Sequence, residues 1–229
     1  MPEQTPITLN HFALVRFTDP YWRLGQEARG RARRDWLAAL RGASEALHLY
    51  QVYGLEAGND LLVWSARRAE DPGVAAAFFA GWAAATAKVR TLVEVRETLW
   101  GFTRPSRYTK TRSTQELDPF APARQPYLII YPFVKTAEWY LTDSDARQRM
   151  MAGHIKVGKQ YEDITQLLLY SYGLQDQEFV VVYETRDPLR FLSLVQELRG
   201  TEARRYTLRD APLHTGLLQP GEEALASWL

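Results

Sequence analysis

Tyr172-Gly173-Leu174, a short turn, Phe179-Val180-Val181-Val182-Tyr183 and then Asp187-Pro188 repeat a pattern already met once in the chain, as Tyr53-Gly54-Leu55, a turn, Leu61-Leu62-Val63-Trp64 and Asp71-Pro72. A recurrence of this kind marks a duplicated supersecondary unit and takes precedence over any local assignment. In each copy an alternating strand runs into a glycine-containing turn and a second strand returns. The Asp-Pro pair then opens a helix, because proline's fixed φ suits the first helical turn and its missing N–H is not needed there. Each copy therefore predicts a hairpin followed by a helix.

Ahead of each hairpin lies a further strand and helix: His11 to Thr18 with Arg31 to Arg41 in the first copy, Tyr127 to Val134 with Asp143 to His154 in the second. Each half reads strand-helix-strand-strand-helix-strand, the order of the ferredoxin-like unit. The predicted fold is α+β: two ferredoxin-like domains of the dimeric α/β barrel type, with antiparallel sheets and helices on the outer face. The other face of each sheet is expected to be buried against a second sheet. Between Gly101 and Pro126 the chain is rich in Pro, Ser, Thr and Arg and follows neither periodicity. Residues 111–126 are the expected connector, which leaves 1–110 and 127–229 as the two domains.

With 229 residues, 46% of them hydrophobic, the chain can build one large core or two smaller ones. Its 28 Lys and Arg against 27 Asp and Glu, interspersed, give a net charge of +1. Neither a nucleic-acid stripe nor a membrane-binding basic face is expected from that pattern. Met1 to Asn10 is polar, with no apolar run of spanning length and no signal pattern, so a soluble cytoplasmic protein is expected. The absence of cysteine removes disulfides, thiol catalysis, iron–sulfur clusters and thiolate-ligated haem. Redox work would need a bound cofactor. The four histidines, His11, His48, His154 and His214, form no His-x-x-x-His or carboxylate–histidine cluster, whereas a protein-only zinc site needs three or four converging ligands. A porphyrin brings four nitrogens of its own, and one axial histidine suffices.

Along the helix expected over 143–154, Thr142 can cap the N-terminus, with Asp143 and Asp145 in the positive first turn. Ala146, Met150 and His154 recur every four residues on one face. On the helix alone a lone histidine there reads first as a core imidazole bonded to a carbonyl, and composition by itself does not identify a ligand. Tyr131 and Lys135 share a side in a strand and nearly so in a helix, so both can enter one cavity. A phenol beside a redox centre can pass an electron and a proton together, and an ammonium can bind a carboxylate. A strand-end tyrosine with an exposed lysine is the plain alternative. Trp139 and Tyr140 read either as core aromatics or as cofactor walls.

Taken together, Tyr131-Pro132-Phe133-Val134-Lys135, Trp139-Tyr140, Arg147-Gln148-Arg149-Met150-Met151 leading to His154, Gly158, Tyr161, Tyr172 to Phe179, Leu198-Arg199-Gly200-Thr201-Glu202-Ala203 and Tyr206 resemble the second half of the chlorite dismutase-like haem proteins. Within that superfamily they look most like the coproheme decarboxylases. The first half resembles the family only in its order of elements.

The resemblance implies one iron coproporphyrin III or haem b per subunit, held in the carboxy-terminal domain of a homo-oligomeric ring, usually a pentamer. His154 falls at the proximal ligand position, with Glu202 near the place of an acidic partner for its other ring nitrogen. Gln166 takes the distal place, or Leu167 if no gap is allowed; neither is the arginine of chlorite dismutases, whose forked charge suits an anionic oxidant. Tyr131 falls on the decarboxylases' radical-forming tyrosine and Lys135 on a lysine near the reacting propionate. The implied reaction is hydrogen-peroxide-dependent loss of carbon dioxide from two propionates, which leaves vinyl groups, with coproheme as both cofactor and substrate. Trp139 and Met150 are expected to line the cofactor, and Arg107 and Arg112, with Arg104 and Lys110, to hold its carboxylates. Ala211 and Pro212 stand where some decarboxylases have a propionate-binding serine. The alternatives are a chlorite dismutase or peroxidase of low activity, or a non-catalytic haem-binding protein.

Overall fold

The computed structural model of the chain describes residues 6–106, 108 and 113–229. The first half runs β1 (Thr8–Phe17), α1 (Asp19–Trp22), α2 (Gln26–Ala43), β2 (Ala46–Gln51), β3 (Leu61–Arg68), α3 (Gly73–Ala87) and β4 (Val93–Phe102). The second runs β5 (Tyr127–Lys135), α4 (Ala137–Leu141), α5 (Ser144–Gly158), β6 (Thr165–Tyr170), β7 (Phe179–Thr185) and α6 (Pro188–Arg199). It continues through a 3-10 turn (Glu202–Tyr206), β8 (Thr207–Arg209), β9 (His214–Gln219) and α7 (Glu222–Leu225). Both repeats fold as the sequence predicts. Asp187 caps α6 by accepting from Leu189 N at 2.9 Å, and Asp71 accepts from Gly73 N at 2.7 Å where α3 begins.

The two sheets do more than stack. Strand order is β7-β6-β4-β1-β3-β2-β9-β5-β8, and β7 also pairs with β5, so all strands but β8 close into one barrel. The seams between halves are β2 with β9, from Leu49↔Gln219 to Gln51↔Leu217, and β4 with β6 at Phe102↔Tyr170. Closure removes the free edges that two separate sheets would carry. Each seam brings backbones together at a glycine. A Cβ on Gly216 would stand 2.6 Å from Tyr50 Cβ, and one on Gly101 would stand 2.6 Å from Ser171 Oγ.

Alternation along each strand sorts side chains between the barrel interior and the helix layer. Phe12, Leu14, Tyr50, Trp64, Leu128, Ile130, Val180 and Val182 fill the interior together with Leu117 of the connector. At one end Tyr50 donates to Glu184 Oε1 at 3.1 Å, and Arg124 of the connector stands 3.5 Å from the same oxygen. Outside, α2 and α3 cover the first half with Trp36, Leu37, Leu40, Phe78 and Trp82, and α7 returns to this layer through Leu225. The helix expected over Arg31 to Arg41 is longer, Gln26–Ala43, and within it buried Arg33 donates to Tyr21 Oη at 3.0 Å and Leu229 O at 2.9 Å. A second difference concerns α5. Its N-cap is Asp143, which accepts from Ala146 N at 2.8 Å, while Thr142 ends α4 and donates to Glu138 O.

Candidate active site

On β5 the residues Tyr127, Ile129, Tyr131 and Phe133 face the helix layer of the second half, where they meet Tyr183, Val157 of α5 and Phe191 of α6. The Tyr131 ring stacks on Tyr183 with centroids 6.2 Å apart and planes 25° apart. Burial, then the adjacent Tyr183, push the Tyr131 phenol well above its usual pKa, so it stays protonated. Gln166 lies opposite Tyr183 and Leu167 opposite Val182 in the antiparallel β6–β7 ladder. Directly opposed residues share a face. Gln166 is therefore on the Tyr131 side, whereas Leu167 points into the barrel and is part of its core.

Helix α5 presents Met150 and His154 inward. Met150 is buried against Trp139 and Ala203, with Ala146 beside it. Burial, reinforced by the Lys135 ammonium, lowers the His154 pKa to about 4, so the ring is neutral at ordinary pH. Its Nδ1 lies 3.4 Å from Thr201 Oγ1, and that hydroxyl donates to Leu198 O at 2.7 Å. With its own hydrogen engaged, the Thr201 oxygen can only accept. At 3.4 Å this accepting oxygen favours the tautomer with the proton on Nδ1, which leaves the Nε2 lone pair for a ligand bond. Glu202, expected as this partner, is instead exposed at the start of the 3-10 turn, because the preceding residue already meets the ring.

Lys135 ends β5 with its Nζ 4.6 Å from the Trp139 ring centre, donating to Ala203 O at 3.2 Å and Thr207 Oγ1 at 3.3 Å. Burial first, then the Arg204 charge, lower its pKa to about 8 against a raising contribution from Glu178. Its backbone is pinned as well. Lys135 N donates to Glu178 Oε2 at 2.8 Å, and the same oxygen accepts from Tyr140 Oη at 2.5 Å. A short helix follows this strand, so Trp139 packs under the ammonium and stacks obliquely on Tyr206 at 5.6 Å.

The remaining expected residues are dispersed. Arg104 is exposed, its guanidinium 5.9 Å from the Tyr170 ring centre. Arg107, Lys110 and Arg112 lie outside the described residues. Pro212 lines a cavity of about 340 Å³ at the barrel end with Glu97, Pro132 and Arg209. Beside the His154 turn is an open cleft of about 510 Å³ lined by Arg199, Thr201, Glu202, Arg204 and Arg205. Sequence reasoning missed Thr201, Tyr183 and Glu178 as site residues. The last two lie in the repeated hairpin, which pairs β7 with β6 but gave no sign that β7 also pairs with β5. Among the described residues no three His, Asp or Glu side chains converge on a metal position, so a metal held by His154 would bring most of its ligands with it. Nor is any helix among the described residues long and apolar enough to cross a membrane.

Residues 29–219 match the chlorite dismutase family. A coproheme decarboxylase of Mycolicibacterium smegmatis is 28% identical over 173 residues, which span 73% of this chain and 71% of the relative. One from Thermus thermophilus is 27% identical over 207 residues, 86% and 80% of the two chains. Among solved structures, a doubly substituted chlorite dismutase from Candidatus Nitrospira defluvii superposes with a TM-score of 0.82 at 22% identity, covering 96% of this chain and 94% of that one. The same enzyme in complex with imidazole gives 0.80, also at 22% identity and with the same coverage. With its duplicated antiparallel fold, the chain belongs to the chlorite dismutase family, and the curated relatives that it resembles are coproheme decarboxylases.

Proposed function

We propose that this protein binds iron coproporphyrin III and, with hydrogen peroxide, decarboxylates two of its propionates to give haem b. The observation that carries the reading is the state of His154: a neutral, partly buried imidazole whose Nδ1–H is held by Thr201, with Nε2 left to ligate one metal ion. This donor set fits a porphyrin iron. The bound iron supplies the oxidising power of the peroxide. For each propionate, one peroxide is reduced to two waters, and the side chain loses one C–H hydrogen, its carboxylate as carbon dioxide, and two electrons.

The protein's residues divide this work. Tyr131, protonated and stacked on Tyr183, gives up its hydroxyl hydrogen atom and recovers one from the propionate carbon. Lys135 neutralises and orients the reacting carboxylate, and its lowered pKa lets it also return a proton near neutrality. Gln166 offers a neutral amide on the peroxide side, in place of the fixed charge that would hold chlorite. Trp139 and Met150 form the apolar wall beside these groups. By the same family resemblance the working form is a cytoplasmic homo-oligomeric ring, which light scattering would size.

The deciding experiment adds iron coproporphyrin III to apoprotein, titrates peroxide and follows the pigment by mass spectrometry. Loss of two carboxyl groups in succession supports the reading. Bleaching without mass loss would direct attention to chlorite turnover, and absence of binding would remove His154 as a ligand.

A further inference from the structure

Gln115 sits in the irregular connector, yet only 8% of its surface is exposed. Its carboxamide nitrogen donates to Tyr161 O at 2.8 Å and to Gly158 O and Ile164 O at 3.2 Å each. These carbonyls run from Gly158, the last residue of α5, to Ile164, the residue before β6. The last carbonyls of a helix lack intrahelical partners and must find other donors. Gly158 O and Tyr161 O find backbone donors in Tyr161 N at 3.1 Å and Ile164 N at 3.0 Å, and the Gln115 side chain adds a second bond to each, which ties this turn to the connector. The main chain of Gln115 works on the neighbouring strand: Gln166 N donates to Gln115 O at 2.8 Å, and Leu117 N donates to Gln166 O at 2.9 Å. Both backbone groups of Gln166 are thus tied to the connector, in a short parallel bridge that the Gln115 side chain anchors to the end of α5.

We infer that Gln115 is a positioning residue that fixes the separation between the helix bearing His154 and the strand position of Gln166, and with it the width of the slot for the porphyrin. The inference rests on the proposed function for the roles of those two residues. A rigid helix transmits a displacement at its C-terminal end to every side chain on it, so releasing the clasp moves His154 relative to Gln166 without touching either.

The test uses Gln115→Glu, which replaces the donor with oxygens facing carbonyls, and Gln115→Lys, which returns donors of similar reach. In the apoprotein, amide exchange at Gln166 and Leu117 is expected to quicken roughly tenfold in Gln115→Glu and to recover in Gln115→Lys, with the β1–β3 ladder unchanged. With iron coproporphyrin III bound, the iron–histidine stretching frequency and the cyanide dissociation rate should shift in Gln115→Glu and return in Gln115→Lys. A uniform rise in exchange across the barrel, or faster exchange with an unaltered iron spectrum, would reduce Gln115 to a structural plug and overturn the inference. Failure of the unsubstituted protein to bind the porphyrin would defeat the proposed function instead, and the apoprotein exchange data would still judge the clasp.

Discussion

The two halves repeat one unit, but their helices close on the sheet differently. In the first half α2 buries Trp36, Leu37, Leu40 and Ala43, whereas α5, its counterpart, buries only Met150. Each layer also holds an uncharged histidine. His11 is enclosed by the rings of Phe78, Phe79 and Trp82 at 5.7, 5.8 and 4.9 Å, and burial lowers its pKa to about 3. His154 has a similarly lowered pKa, about 4, but its neighbours are the Thr201 hydroxyl and the Lys135 ammonium. Burial and a shifted pKa therefore do not mark the functional histidine. What separates the two is the polar contact of the His154 ring with Thr201, where His11 meets only aromatic rings.

Five measurements break or sharpen that contrast. On the proposed function, Tyr131→Phe is expected to lower decarboxylation by at least about a thousandfold while coproheme still binds, as pigment mass spectrometry would read; turnover near that of the unsubstituted protein would remove the radical role. His154→Ala should abolish the axial ligand signature and weaken porphyrin binding by about a hundredfold, where His11→Phe leaves both unchanged; absorption titration compares them. Gly216→Ala forces a Cβ against Tyr50 and should cost about 3 kcal/mol in denaturant unfolding, because overfilled backbone approaches relax poorly.

The last two concern pH. Lys135 is charged below about 8, so affinity for the carboxylate-bearing porphyrin should fall by about tenfold as pH rises through and above that value. Lys135→Arg should hold its affinity to higher pH, since a guanidinium stays charged. His11 titrates near 3 in the folded state but near 6.5 when unfolded, so below 6.5 the unfolded chain takes up the proton first. Stability should therefore fall as pH drops from 6.5 toward 3, and His11→Phe should flatten that fall in acid unfolding curves by a few kcal/mol, at about 1.4 kcal/mol per pKa unit.

The order of elements was legible in the sequence because hairpins and Asp-Pro helix starts are local signals. The barrel type followed from that order, but the strands that join the halves did not, since pairings such as Leu49↔Gln219 link residues from opposite ends of the chain with no pattern of their own. At the site, Tyr131 and Lys135 stood out only through family resemblance, as their residue types alone fit an ordinary strand end. The strand ladder places Gln166 rather than Leu167 on the Tyr131 face, a question of parity that a one-residue gap left open. Thr201 displaced Glu202 as the partner of His154 for a similar reason, since a single position along a 3-10 turn swings a side chain from the interior to solvent. Gln115 carried no signal, because its role depends on main-chain carbonyls that no residue type encodes.

The seams at Gly101 and Gly216 have a topological consequence. Every contact across them joins one half of the chain to the other, so a partner half from a second molecule would fit the same seams with the same hydrogen bonds. The described part of the connector joins the halves as well, with Leu117, Arg124 and Gln115 docked in the barrel, at its end and beneath α5. An exchange of halves between two molecules would have to release all three anchor points.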